Sequence, residues 1–338
     1  MTLDDVADAA FSPAQAAVEE RRVPGATLGI VTAAGERAVR VAGAAQWEPE
    51  PVALRRETWF DLASLTKVIF TTTQVLRVVD RGRIGLDDPL TTLLPDLRQY
   101  DMNAPERRLT FRQCLSHGTH LPAVEPLYTY GQDPATLRAF VLQRVWTPGP
   151  PVYSDINFIL LGLCLERLTG RGLDAVPLPS GLTFRPDPAA CAATERDPWR
   201  GRVIRGEVHD ENAFALGGAA GHAGLFGTVD GVLDFAGSLL DGSALSPAGI
   251  AGMRARQGGT RTLGWEAKHP NWTGGETCSD GTIGHTGFTG TGLWIDWDRR
   301  AAWTLLTNRV HPSRHRETGI QDLRRRTGTI IGERLSGR

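Results

Sequence analysis

Lysine is almost missing from this chain of 338 residues: of its 37 basic side chains only Lys67 and Lys268 are lysine, and the other 35 are arginine. Such an excess reads as coding bias, so at an ordinary surface site arginine is the expected cation. A retained lysine points to a property arginine lacks, the ability to lose its proton inside a protein. A surplus of either charge is missing too. The net charge of −1 and pI near 6.7 offer nothing to recruit nucleic acid or an anionic membrane, and a small neutral molecule is the expected substrate. There is no run of about 18 apolar residues, so no membrane span is expected. The amino terminus, "MTLDDVADAAFSPAQ", lacks the basic start and apolar run of a secretory signal, and the chain reads as soluble and cytoplasmic. Its oligomeric state is not legible.

Cysteine is scarce and scattered. Cys114, Cys164, Cys191 and Cys278 have no C-x-x-C spacing, which excludes a disulfide framework and a recognisable zinc site. Several hydrolase and nucleotide signatures are absent: no G-x-S-x-G elbow, no H-E-x-x-H, no G-x-x-x-x-G-K, and no G-x-G-x-x-G after a strand. No metal and no cofactor is expected.

What is present is an ordinary globular composition, 41% hydrophobic and 22% charged, long enough for one large domain or two coupled lobes. Ser12, Pro13 and a later Gly25 mark a first helix. "ATLGIVTAAGERAVRVAGAA" reads as a hairpin turning at Ala34-Gly35. From Leu65 to Val79 nearly every face is apolar or threonine, as in a helix buried on all sides. Helical patterns recur in "DPATLRAFVLQRV", in "SDINFILLGLCLERLTG" with its stop at Gly170, and in "TVDGVLDFAGSLL". The stretch from Asp174 to Arg205 reads as a long loop edging a site. Strands return as a hairpin about Asp298-Arg299-Arg300, followed by a last helix interrupted at Gly328. This order predicts an α/β (α+β) lobe built from residues 1–65 and 250–338, and a mainly helical lobe with long loops from residues 66–249. The site is expected between them.

Ser64 and Lys67, three apart, share a face if a helix begins near Ser64. A serine at a helix start has backbone N–H groups nearby for charge developing on an attacked carbonyl oxygen. Apolar neighbours would weaken the preference of Lys67 for its charged form, so that it could help take the serine proton. A capping serine beside a solvated lysine gives the same spacing, so the pair alone does not decide. Two further segments do: "PVYSDINFILLG", with Tyr153 just before a helix, and "GHTGFTG", with His285-Thr286-Gly287 on a strand. "TERDPWRGRVIRGEVHDENAFALGGAAGHAGLFGT" adds Trp199, Arg200, Glu207, His209, Asp210, Asn212 and His222 as a possible pocket rim. A metal reading of His209, Asp210 and His222 lacks ligand spacing, against a satisfied loop network.

In this order and at these separations, the three segments resemble the serine β-lactamase and penicillin-binding protein superfamily, and within it class C β-lactamases, family VIII esterases and D-amino acid specific peptidases. The resemblance implies a β-lactamase/transpeptidase-like fold, an antiparallel sheet flanked by the N- and C-terminal helices plus an α-rich lobe. It implies Ser64 as acylated nucleophile, Lys67 as its proton partner and Tyr153 as second acid/base group. His285 would hydrogen-bond that cluster, and the N–H groups of Ser64 and Phe288 would form the oxyanion hole. Asp155, Thr286, Gly287, His222 and Trp199 would contact substrate. The expected function is hydrolysis of a small ester, amide or β-lactam through an acyl-enzyme, with an esterase or β-lactamase foremost. The alternatives are a D-amino acid specific peptidase and a silent module that binds peptidoglycan fragments or a partner protein.

Two positions depart from the pattern. Asp155 stands where many relatives have asparagine, which would hold Lys67 more firmly charged, shift the base role toward Tyr153 and favour an ester or cationic substrate. His285 stands where many have lysine, which removes a permanent cation and predicts a pH response near the ordinary histidine value of about 6.5.

Overall fold

The computed structural model of the chain describes residues 1–336. Helix α1 (Leu3–Glu19) opens at Thr2, whose hydroxyl accepts from the Asp5 N–H while the Asp5 carboxylate accepts from the Thr2 N–H. That reciprocal cap, not Ser12-Pro13, starts the helix. Pro13 lies inside it, where its missing N–H would leave the Ala9 carbonyl bare. The Ser12 hydroxyl donates to that carbonyl at 2.9 Å and repairs the gap.

The period then switches to two. Strands β1 (Gly25–Thr32) and β2 (Arg37–Gln46) form the expected hairpin, and β3 (Val52–Ala53) extends it. After β4 (Phe60–Asp61) the buried run winds first as a π-helical turn, Lys67–Thr72, and only then as α2 (Thr73–Asp80). Apolar spacing reveals the burial but not the wider winding. The helical lobe adds α3 (Phe111–Leu115), α4 (Pro134–Gln143) and α5 (Asp155–Thr169). Helix α5 is buried without interruption from Ile156 to Leu165 and stops at left-handed Gly170.

The supposed loop from Asp174 to Arg205 is partly structured, with β5 (Leu182–Thr183) and a hairpin of β6 (Ala193–Asp197) and β7 (Arg202–Arg205). Strands this short between proline, glycine and arginine leave little alternation to read. Helix α6 (Glu211–Ala215) follows, then β8 (Phe226–Gly227), which pairs with both β4 and β5. Next come α7 (Val229–Leu240), α8 (Pro247–Arg254), β9 (Glu266–Ala267), β10 (Ile283–Thr286), β11 (Gly292–Asp296), β12 (Ala301–Thr307) and α9 (Ile320–Ser336). Helix α9 is continuous through Gly328. A Cβ there would lie 2.2 Å from the Gly274 carbonyl oxygen, so this glycine permits close packing instead of breaking the helix.

Seven strands form one antiparallel sheet in the order β3-β2-β1-β12-β11-β10-β9, with Ala26 of β1 opposite Thr307 of β12. Alternation sorts its two faces. Leu28, Ile30, Trp294 and Trp303 pack with Phe11 of α1 and Leu323 of α9. Val31, Ile283, Leu293 and Leu306 face the core shared with the helical lobe. Helix α7, within the span assigned above to the helical lobe, lies on the sheet: a Cβ on Gly29 of β1 would sit 2.7 Å from the Val229 side chain. Among the described residues no helix is long and apolar enough to cross a membrane.

Candidate active site

Ser64 sits where β4 runs into the π-helical turn, and its segment is pinned from both ends of the chain. The Asp61 carboxylate accepts from the N–H groups of Ala63 at 2.8 Å and His209 at 2.6 Å. Burial raises the Asp61 pKa, against those two donors. From the loop after β10, Thr289 donates to the Asp61 carbonyl at 2.7 Å and Thr291 to the Leu62 carbonyl at 3.0 Å. Ala63, immediately before the serine, is held at φ 49°, a left-handed conformation that costs a non-glycine residue free energy and persists only when its surroundings enforce it.

Lys67 has no exposed surface. Its Nζ donates to Ser64 Oγ at 2.9 Å and to the His222 carbonyl at 3.1 Å, and lies 2.8 Å from Asp155 Oδ1. Two of the three ammonium donors therefore go to Ser64 Oγ and the His222 carbonyl, and the charge is balanced by the Asp155 carboxylate. Burial alone would push the Lys67 pKa down, but Asp155 and Tyr153 together hold it above the ordinary lysine value. The weakened charge expected from apolar neighbours is thus overturned by the carboxylate. The Tyr153 ring centroid lies 5.0 Å from Lys67 Nζ. Burial raises the Tyr153 pKa, and the nearby lysine only partly offsets it. A cation beside the phenol does not by itself bring it toward neutral pH.

Two histidines flank the tyrosine. The His285 ring centroid is 5.8 Å away, and its Nδ1 lies 2.9 Å from the Thr286 carbonyl, which places the proton on Nδ1. Burial, with Lys67 and Arg261 nearby, lowers the His285 pKa well below the ordinary value. That shift moves its titration below the value near 6.5 expected for it. His117, which sequence patterns do not single out, lies 4.4 Å from Tyr153 ring to ring. Its Nδ1 accepts from the Ser154 N–H at 3.0 Å, fixing the start of α5 just after Tyr153.

A cavity of about 320 Å³ opens over Ser64, Tyr153 and His285, and Thr286, Gly287 and Phe288 line it. Asp155, Trp199 and the His222 imidazole do not, Asp155 being turned to Lys67. Trp199 packs between Tyr128 and Phe214 at the β6–β7 turn. His222 is buried, with Nε2 2.9 Å from Asp210 Oδ1, and reaches the site through its carbonyl. His209 pairs separately with Glu195 at 3.0 Å, and among the described residues no cluster of metal-ligating side chains is placed to hold an ion.

Three arginines of the cavity escaped sequence reading: Arg261, Arg309 and Arg324 share it with a single acid, Glu266. In a chain this rich in arginine no single arginine draws notice. They place guanidinium groups in the cavity although His285 supplies no permanent cation there, and they weigh against the cationic substrate expected from Asp155. Lys67 and Asp155 neutralise each other beneath the cavity, whereas the lining itself is positive. Such a surface favours an anionic group on the bound molecule.

The arrangement suits attack by a serine on a carbonyl beside a proton-holding cluster. The chain is 28% identical over 313 residues to the Bacillus subtilis (strain 168) protein named N-acetylmuramyl-L-alanine amidase, covering 77% of this chain and 70% of that one. It is 29% identical over 311 residues to the Escherichia coli (strain K12) protein named putative D-alanyl-D-alanine carboxypeptidase, covering 78% and 71%. In fold it resembles EstCE1, a hydrolase with promiscuous acyltransferase activity, with a TM-score of 0.72, 22% identity and coverage of 94% and 98%. Residues 10–325 match the Beta-lactamase family, and the chain belongs to that family of serine hydrolases.

Proposed function

We propose that this serine hydrolase uses Ser64 to attack the carbonyl of a small ester, amide or β-lactam that carries an anionic group, forming an acyl-enzyme. The contact of 2.9 Å between Lys67 Nζ and Ser64 Oγ carries this reading. A protonated ammonium has no lone pair, so Lys67 cannot accept the serine proton until one of its own has left. Tyr153 is the group that takes it, once the Lys67–Tyr153 pair has lost one proton. The pair titrates as a unit. The amide N–H groups of Ser64 and Phe288 have no acceptor among the described residues and would receive the developing oxyanion. The cationic lining selects a carboxylate close to the scissile bond.

A turnover panel tests this, using p-nitrophenyl acetate, the p-nitrophenyl monoester of succinate, nitrocefin and a D-alanyl amide, with Ser64→Ala as control. Carboxylated substrates should be preferred, and intact-mass analysis after fluorophosphonate treatment should show one adduct, on Ser64. No adduct and no turnover would favour a silent binding module instead.

The proton route predicts a pH profile. Asp155 raises both Lys67 and Tyr153, so the basic form of the pair accumulates only toward alkaline pH and kcat/KM rises with pH. Asp155→Asn removes the anion that favours the protonated pair, and the acid limb for p-nitrophenyl acetate should move down by about one pH unit. A limb that stays in place would sink this assignment.

A further inference from the structure

Arg324 is a buried cation without a carboxylate. It is 2% exposed, no ion pair engages it among the described residues, and burial with Arg309 nearby lowers its pKa. A charge in that position is costly unless its donors are satisfied. Its Nη2 donates to the carbonyls of Gly287 at 2.8 Å and Thr291 at 2.6 Å, and its Nη1 to Gln321 Oε1 at 3.2 Å. The buried guanidinium therefore spends its best donors on the turn between β10 and β11.

The Gly287 carbonyl belongs to the same peptide unit as the Phe288 N–H. In a trans peptide the two point in opposite directions. A cation that grips the carbonyl from behind fixes the direction of the N–H and polarises it, since donors and acceptors along one peptide strengthen each other. The Gly290 N–H also donates to this carbonyl, at 3.1 Å, and the Gly287 N–H donates to Thr291 at 2.8 Å, so the turn keeps its shape without the arginine. What the arginine adds is charge. We propose that Arg324 is a positioning residue for the oxyanion hole, acting through the Gly287–Phe288 peptide to strengthen the Phe288 N–H as a donor. This rests on the acyl-enzyme reading above, in which that N–H receives the oxyanion.

Arg324→Gln keeps a polar side chain and removes the charge. Acylation by the neutral ester p-nitrophenyl acetate should fall about 10- to 100-fold, in kcat and not in KM. The infrared band of the acyl-enzyme carbonyl should move to higher wavenumber, because a weaker donor polarises the carbonyl less. Arg324→Lys keeps the charge on a shorter stem that cannot bridge both carbonyls, and its kcat and band should fall between the two. Normal kcat and an unmoved band, with a raised KM confined to carboxylated esters, would make Arg324 a direct substrate anchor and overturn the proposal. If the glutamine variant does not fold, the lysine variant decides alone: a wild-type kcat and band with a raised KM confined to carboxylated esters would make Arg324 a substrate anchor and overturn the proposal. Fluorophosphonate labelling of wild-type Ser64 tests the underlying reading separately, since its failure would remove the acyl-enzyme while an unmoved band would remove only the role of Arg324.

Discussion

Lys67→Arg should retain the fold and lose acylation, with kcat/KM for p-nitrophenyl acetate down about 1000-fold, the scale of a lost acid–base group. The wild-type ammonium meets Ser64 Oγ, Asp155 and the His222 carbonyl from one point. A planar guanidinium cannot aim three donors tetrahedrally and cannot give up a proton at any working pH. Its extra bulk in a site with no exposed surface should also lower Tm by a few degrees, as overpacking of about 1–3 kcal/mol does. Stopped-flow measurement of the p-nitrophenol burst beside a thermal melt separates the two effects. A burst near the wild-type rate would refute the role given to this lysine.

Gly287→Ala should cost nearly as much by a different route. A Cβ at this position would stand 2.1 Å from Thr291 Oγ1 and 2.6 Å from the Leu62 carbonyl oxygen. Neither can yield easily: Thr291 is hydrogen-bonded to that same carbonyl, and Leu62 lies two residues before Ser64. The turn must back away from the serine, taking the Phe288 N–H with it, and the loss of one such donor costs about 100- to 1000-fold in kcat. KM for a small neutral ester should change little. An alanine variant with unchanged kcat would show that the two segments need not approach so closely.

The residues of the cluster were legible in the sequence because their spacing carried them: Ser64 with Lys67, Tyr153 before a helix, and His285-Thr286-Gly287 on a strand. The arginines were not, since Arg324 declares itself only when α9 is laid against β10 and β11. His222 did carry a signal, being the one residue of "GGAAGHAG" with a side chain longer than alanine. Its contribution, a main-chain carbonyl, has no sequence signature. Electrostatics misled in both directions. The phenol beside the lysine is raised by burial, which residue types alone do not disclose, and His285 is lowered by burial first and by Lys67 and Arg261 after it. Among the elements, strands and buried helices followed their periods, while α1 shows a proline inside a helix because a neighbouring hydroxyl supplies the missing donor.

The pins from Thr289 and Thr291 reach back 228 and 229 residues to Asp61 and Leu62. Contacts of such separation carry a large loop-closure cost and form slowly during folding. The strained Ala63 geometry relies on them, so a nascent chain still lacking β10–β12 has the serine and the lysine but not the backbone that aims them. The left-handed Ala63 backbone before Ser64 is thus a late acquisition of folding, completed only when the turn between β10 and β11 docks.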